Sequence, residues 1–109
     1  MLKVKNMCSD RSWREIPNQF IIKDSENEKY YFQSYNSLIA EWDYNSQRLT
    51  LGKHFDYSVT TIKYLHKWIN EHCNGETIRA IRNAPRNSYS KCLQWCIDNG
   101  LIDYKSDMV

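Results

Sequence analysis

Glycine and proline are scarce in this 109-residue chain, which contains three Gly and two Pro. This scarcity argues against long linkers and low-complexity segments. Long apolar runs are missing too, since none approaches the roughly 18 residues that span a membrane. The N-terminal residues lack the apolar core of a signal peptide. We therefore expect a protein of the cytoplasm that has no membrane partner.

An excess of one charge sign is also absent. Fifteen Lys and Arg against thirteen Asp and Glu give a formal charge of +2, which is too mild to indicate a nucleic-acid binder from composition alone. The distribution is nevertheless uneven. Acidic residues are concentrated between residues 24 and 43, whereas residues 77–97 contain Arg79, Arg82, Arg86 and Lys91 and no acid.

Catalytic signatures are missing as well. The sequence has no recognisable motif around a Ser or Cys nucleophile and no Gly-rich phosphate loop, and its three histidines are dispersed. We expect a non-catalytic protein that carries no cofactor. A hydrolase with dispersed ligands is the weaker alternative.

The cysteines allow two interpretations. Cys8, Cys73, Cys92 and Cys96 should be reduced in the cytoplasm. Cys92 and Cys96 are one helical turn apart, and zinc sites are built from thiolates and imidazoles. However, the close CxxC pair typical of such sites is absent. The spacing favours buried packing without a metal, and the alternative is a small zinc-stabilised module.

The apolar periodicity predicts an α+β fold, with an N-terminal antiparallel β-meander of about four strands followed by three helices. The strands are expected over 20–23, 30–35, 37–42 and 48–51. The helices are expected from a Ser58 cap to about residue 73, over 76–83, and from residue 88 to Gly100. Residues 101–104 are a candidate final strand. We predict a single α+β domain over 16–109, preceded by an arm or irregular lead-in over 1–15.

The first of these helices begins with a donor-rich turn. Val59, Ile62, Leu65, Ile69 and His72 fall on one face at helical spacing. Hydroxyl and ammonium groups cluster near the helix N-terminus, which is the end that attracts anions such as phosphate. The predicted partner-binding residues of this helix are Thr60, Lys63 and Lys67.

The basic run downstream is a second candidate binding surface. Arg79, Arg82, Arg86 and Lys91 are interleaved with Asn and Ser, all of which suit DNA or RNA phosphate oxygens. An ordinary solvated helix face is the alternative. The helix pair over residues 76–104 also resembles the last two helices of a winged-helix domain, which would make the protein a DNA-binding regulator.

The string Phe55-Asp-Tyr-Ser-Val-Thr-Thr-Ile-Lys-Tyr-Leu65, together with residues 31–40 and 49–51, carries a family resemblance. Over residues 30–69 the chain resembles a family of small uncharacterised proteins from bacteriophages and other mobile elements. Family members usually have Trp where Phe55 stands. The resemblance implies a phage setting in a host bacterial cell and no catalytic residues.

These observations lead to one functional hypothesis. We expect a phage or mobile-element accessory protein that evades host defence by binding a host protein or nucleoprotein complex. An anti-CRISPR-type inhibitor of a Cas effector fits this description, because cations could occupy phosphate contacts or pair with acidic protein surface.

Overall fold

The computed structural model of the chain describes residues 1–108; Val109, the last residue of the predicted domain, lies outside the described part. Within that part the strands are β1 (Leu2–Cys8), β2 (Glu15–Asp24), β3 (Lys29–Ser34), β4 (Ser37–Asp43), β5 (Arg48–Gly52) and β6 (Asp103–Lys105). The helices are α1 (Val59–His72), α2 (Gly75–Arg82) and α3 (Tyr89–Asp98), all between β5 and β6.

The six strands form one sheet in which spatial order follows sequence order. Strands β1 to β5 are an antiparallel meander, whereas β6 pairs in parallel with β5. The predicted α+β class is confirmed. The predicted four-strand meander is too short, because β1 adds a fifth antiparallel strand. The candidate final strand over residues 101–104 is present as β6, over Asp103–Lys105.

Strand β1 corrects the description of residues 1–15 as an arm or irregular lead-in. Residues 2–8 pair with β2, from Leu2 opposite Asp24 to Cys8 opposite Glu15. Met7 is buried, but Leu2 and Val4 are largely exposed. The strand is therefore held mainly by backbone hydrogen bonds. Its sequence alternates only over residues 2–5, and the apolar residues of that short alternation face solvent.

Local signals set the helix boundaries as predicted. Ser58, Asn74 and Ser88 cap the three helices by accepting hydrogen bonds from backbone N–H groups in the first turn. Gly100 follows α3 with a φ of 76°, the left-handed conformation that only glycine adopts without strain. Asn74 lies between α1 and α2 and starts the second of these helices.

The core is organised by the contact between β3 and α1. Alternate residues of β3 face the helix: Phe32 stacks on Trp68 with ring centroids 6.3 Å apart, and Tyr30 stacks on His72 at 4.8 Å. At the other end, the hydroxyl of Ser34 lies 3.3 Å from that of Thr61. The helix therefore runs antiparallel to β3.

The buried stripe of α1 differs from the predicted one at its start. Its members are Thr61, Leu65, Trp68 and Ile69. Val59, expected to face the core, is 88% exposed. Helical periodicity identifies the residues that share a face, but it does not show where along the helix the contact with the sheet begins.

Strand β6 is fixed by a side-chain clamp. The guanidinium of Arg48 on β5 donates to both carboxylate oxygens of Asp103, at 3.2 and 2.7 Å, and to the carbonyl of Gly100 at 3.0 Å. This two-pronged geometry stabilises ion pairs better than a single contact does. It aligns a three-residue strand that backbone pairing alone would hold weakly.

Replacing Phe32 with Ala should destabilise the protein by about 3–5 kcal/mol, because it removes a fully buried ring and leaves a cavity against Trp68. Urea unfolding followed by tryptophan fluorescence would measure this loss. The exposed Val59→Ala variant is the control and should change the free energy of unfolding by less than about 0.5 kcal/mol. A loss similar to the control's would refute the central role of this stack.

His72 should make stability depend on pH. Burial lowers the pKa of His72, and the charge of Lys5 lowers it further, although Glu71 opposes the shift. Because protonation is easier in the unfolded chain, this stabilising term is complete above the unfolded-state pKa of about 6.5 and declines as the pH falls below it. Burial lowers the pKa of His66 in the same direction.

The measurement is the urea midpoint across the mildly acidic range. His72→Phe keeps a ring beside Tyr30 but cannot titrate, so the variant should lose less stability than the parent as the pH falls. Equal slopes in parent and variant would contradict the assignment.

Candidate functional site

A cavity of about 570 Å³ opens where α1 begins. Three segments build it: the β3–β4 turn, the loop after β5, and the first turn of α1. Its lining is mostly hydroxyl-bearing or aromatic: Ser34, Tyr35, Asn36, Ser37, Ile39, His54, Tyr57, Ser58, Thr60 and Thr61. This is the part of the chain in which the sequence predicted a donor-rich helix start.

A chain of three hydroxyls forms part of the cavity wall. Ser58 donates to Thr61 Oγ1 at 3.0 Å, and the hydroxyls of Thr61 and Ser34 are 3.3 Å apart. Two hydrogen bonds use two of the three hydroxyl hydrogens. In residues 1–108 no further acceptor meets the third, which belongs to Ser34 or Thr61. These two residues are 3% and 1% exposed, so the third hydrogen belongs to a buried hydroxyl of the cavity wall.

The helix itself makes the same end of the cavity positive. Unsatisfied N–H groups and the macrodipole give a helix N-terminus about half a positive charge. The first turn of α1 holds no acidic residue that would offset this charge. The cavity therefore favours an oxygen acceptor, such as a carboxylate, a carbonyl or a phosphate oxygen.

Two tyrosines flank this cavity with much of their surface in solvent. Tyr35 and Tyr57 are 52% and 76% exposed. Tyr35 has a φ of 55°, which is strained for a bulky residue, and its N–H donates to the carbonyl of Asn18 at 2.7 Å. Exposed tyrosines of this kind are common in binding surfaces.

The predicted residues of α1 have different environments. Thr60 lines the cavity. Lys63 is exposed, and its ammonium lies 5.2 Å from the centroid of the neighbouring Tyr64 ring. Lys67 is mostly covered, because it forms ion pairs with Asp10 and Glu71. Its charge fastens the β1–β2 loop to α1, which leaves it poorly available to a partner.

The four cations of the basic run lie on α2, on α3 and in the loop between these helices. Arg79, Arg82, Arg86 and Lys91 are exposed, and none of them forms an ion pair with a carboxylate of residues 1–108. Arg86 donates to the carbonyl of Pro85 at 2.7 Å. None of the four lines the cavity, so the helix start and the basic run form two separate surfaces.

Sequence reasoning missed most of the cavity wall. Tyr35, Asn36, His54 and Tyr57 come from loops that periodicity does not place. The two-residue turn between β3 and β4 could have located part of the wall from sequence, because such a turn brings the end of β3 back beside the start of β4. Only the contact with α1 turns these loops into a wall.

The cysteines pack against backbone carbonyls. The Cys92 thiol donates to the carbonyls of Ala84 and Arg86, both at 3.7 Å, and the Cys96 thiol donates to that of Ala80 at 3.7 Å. Burial raises the pKa of Cys73 to about 12, which favours the thiol over the metal-binding thiolate. No group of three His, Cys, Asp or Glu side chains in the described chain is placed to hold a metal ion.

No helix in residues 1–108 combines the length and apolar character required to cross a membrane.

The fold is that of a small α+β protein with a cavity at the start of a helix. The chain belongs to a family of unknown function (DUF8033), whose family model matches residues 2–83. The match extends from β1 through α2 and includes every residue of the cavity, whereas Arg86 and Lys91 lie beyond it. Neither a curated protein nor a solved structure matches the chain significantly.

Replacing Thr61 with Val should destabilise the protein by about 1–3 kcal/mol, because it removes the central hydroxyl of the chain and leaves buried Ser34 without its partner. The matched control is Thr60→Val, which changes an exposed hydroxyl in the same helical turn. Urea unfolding would compare the two variants. If Thr60→Val costs as much as Thr61→Val, lower helix propensity explains both losses and the buried hydroxyl chain contributes little.

Proposed function

We propose that this protein is a non-catalytic phage or mobile-element accessory protein that acts in the cytoplasm of the host bacterium. It binds a host nucleoprotein complex and inhibits it, in the manner of an anti-CRISPR protein acting on a Cas effector. The observation that carries the proposal is the exposed group Arg79, Arg82, Arg86 and Lys91, which lacks carboxylate partners in residues 1–108.

The chemistry of this group suits nucleoprotein. Arginine offers a planar fork that binds phosphate or carboxylate oxygens through two hydrogen bonds at once. Lys91 lies in the first turn of α3, where free backbone N–H groups also favour an anion. A nucleoprotein presents both matching anions, namely guide or target phosphates and acidic patches of its protein surface.

The cavity at the start of α1 supplies a second contact in this proposal. Thr60 and the buried hydroxyl donor can receive a carboxylate or carbonyl from the target, and Lys63 adds a nearby positive charge on the exposed side of the helix. The flanking tyrosines add contact area at low entropic cost. Lys67 is left out of this surface because its ion pairs occupy it.

A DNA-binding regulator is the alternative function. It is favoured by α3, whose capped and exposed N-terminal turn has the polar character of a recognition helix. It ranks second because the segment after α3 forms β6, which joins the sheet in parallel with β5. Within residues 101–108 that segment therefore builds no antiparallel wing.

Replacing Arg79, Arg82 and Arg86 together with Ala should abolish capture of the target from host lysate, because it removes the three guanidinium groups. The experiment is affinity capture on immobilised protein, with and without nuclease treatment of the lysate. A matched triple replacement of Arg11, Lys53 and Lys105 by Ala removes equal charge from other exposed positions and should retain the target. Capture that survives the first triple replacement would discard the basic-run proposal.

Measuring the affinity of the purified protein for free duplex DNA distinguishes the two proposed functions. A regulator should bind it alone, with an affinity that falls steeply as salt rises. The inhibitor should capture its target while showing no such affinity.

A further inference from the structure

Three lysines of the N-terminal hairpin share the sheet face on which the helices pack. Lys3 of β1 lies directly opposite Lys23 of β2, and Lys5 lies opposite Ile21. Ile21 is in turn paired with Phe32, which packs on α1. Paired residues of neighbouring strands point to the same face of a sheet, so the lysines lie beside the end of α1.

A groove of about 530 Å³ follows these side chains. It is lined by Lys3, Val4, Lys5, Ile21, Lys23 and Tyr30. None of the three lysines forms an ion pair with a carboxylate in the described chain. The adjacent Asp24 forms no ion pair with them, and its oxygens accept hydrogen bonds from the backbone N–H groups of Glu26 and Asn27 and from the Asn27 side-chain amide.

This arrangement opposes folding. Like charges directly opposite each other in an antiparallel pair are destabilising, and Lys3 and Lys23 form such a pair. The field of the cluster extends to α1, since the charge of Lys5 is one cause of the lowered pKa of His72. A polyanion bound to the three lysines would remove this repulsion. The positive charge of the folded groove is complementary to such a ligand.

An aromatic ring forms one wall of the groove. The Lys23 ammonium lies 5.9 Å from the centroid of the Tyr30 ring, and that ring stacks on His72 at 4.8 Å. The Tyr30 ring is thereby held in place. A positive groove beside a fixed aromatic ring is the combination by which proteins bind single-stranded nucleic acid without reading its sequence.

We propose that Lys3, Lys5 and Lys23 bind the phosphate backbone of a single-stranded nucleic acid. Lys3 and Lys5 project from alternate positions of one strand, about 7 Å apart along it, so their charges follow a linear ligand. Lysine acts as a point charge toward phosphate, so it suits a backbone contact that needs no fixed bidentate geometry. The inference names one component of the nucleoprotein target and to that extent rests on the proposed function.

The test is fluorescence anisotropy of purified protein with a short fluorescein-labelled oligouridine, titrated between about 50 and 200 mM salt. Replacing Lys3, Lys5 and Lys23 together with Gln should weaken binding about tenfold or more at the lowest salt. It should also reduce the steepness with which log K falls against log salt by about 2, since each of the three single-strand phosphate contacts contributes about 0.7 to that slope. Thermal stability should rise, because the Lys3–Lys23 repulsion is removed.

The charge-matched control replaces Arg11, Lys53 and Lys105 with Gln, and it should leave both affinity and slope close to those of the parent. The proposal is overturned if the parent protein does not bind the oligonucleotide, or if both triple variants weaken binding equally. It is also overturned if polyglutamate binds the groove as tightly as oligouridine, which would make an acidic protein the partner. The lysine variant could also keep its affinity for oligouridine and instead self-associate. That result would mean that the lysines prevent the edge strand β1 from pairing with another chain, and it would overturn the proposal.

The outcome is separable from that of the proposed function. Replacing Arg79, Arg82 and Arg86 tests capture of the target, whereas oligouridine binding tests the groove. Loss of oligouridine binding in the arginine variant, with the lysine variant unaffected, would overturn the groove assignment and leave the arginine surface in place.

Discussion

The contact between β3 and α1 is the constraint on which the rest of the structure depends. Phe32 and Trp68 form its apolar centre, and both are fully buried. Because α1 runs antiparallel to β3, the contact fixes both ends of the helix. Its N-terminus is held beside the β3–β4 turn and closes the cavity, while its C-terminus, with His72, lies by the N-terminal hairpin and borders the lysine groove.

Within residues 1–108 this contact leaves buried polar atoms without partners at its polar end as well as at the indole N–H of Trp68 in its centre. Ser34 and Thr61 meet there through hydroxyls, and Gln19 lies opposite Ser34 in the sheet. Gln19 is 1% exposed, and within residues 1–108 its Oε1 atom has no hydrogen-bond partner. An apolar layer would be more stable, since buried polar groups without full partners are costly. Proteins accept such local conflicts mainly at functional sites.

The cations divide into those used by the fold and those left on its surface. Lys67 fastens the β1–β2 loop to α1, and Arg48 fastens β6 to β5. The arginines of α2 and the lysines of the first hairpin have no such partner in the described chain. Formal charge does not reveal this division, because it counts both kinds equally. The division explains how a protein of nearly balanced charge can present two basic surfaces.

The sequence alone determined the elements whose signals are local. Caps, a C-terminal glycine and periodic apolar residues located all three helices and strands β2 to β5. Tertiary structure decided what depends on distant partners. Strand β1 exists through pairing at the sheet edge, and β6, a candidate strand from the sequence, takes its parallel pairing from β5. Val59 faces solvent although it matches the helical period, and Lys67 is held in an ion pair with Asp10. The cavity and the lysine groove fall in this second group. Local sequence pattern shows which residues share a face of a helix or strand. A site, however, is made by residues that are far apart in sequence. Only the packing of α1 on the sheet determines which of these residues meet.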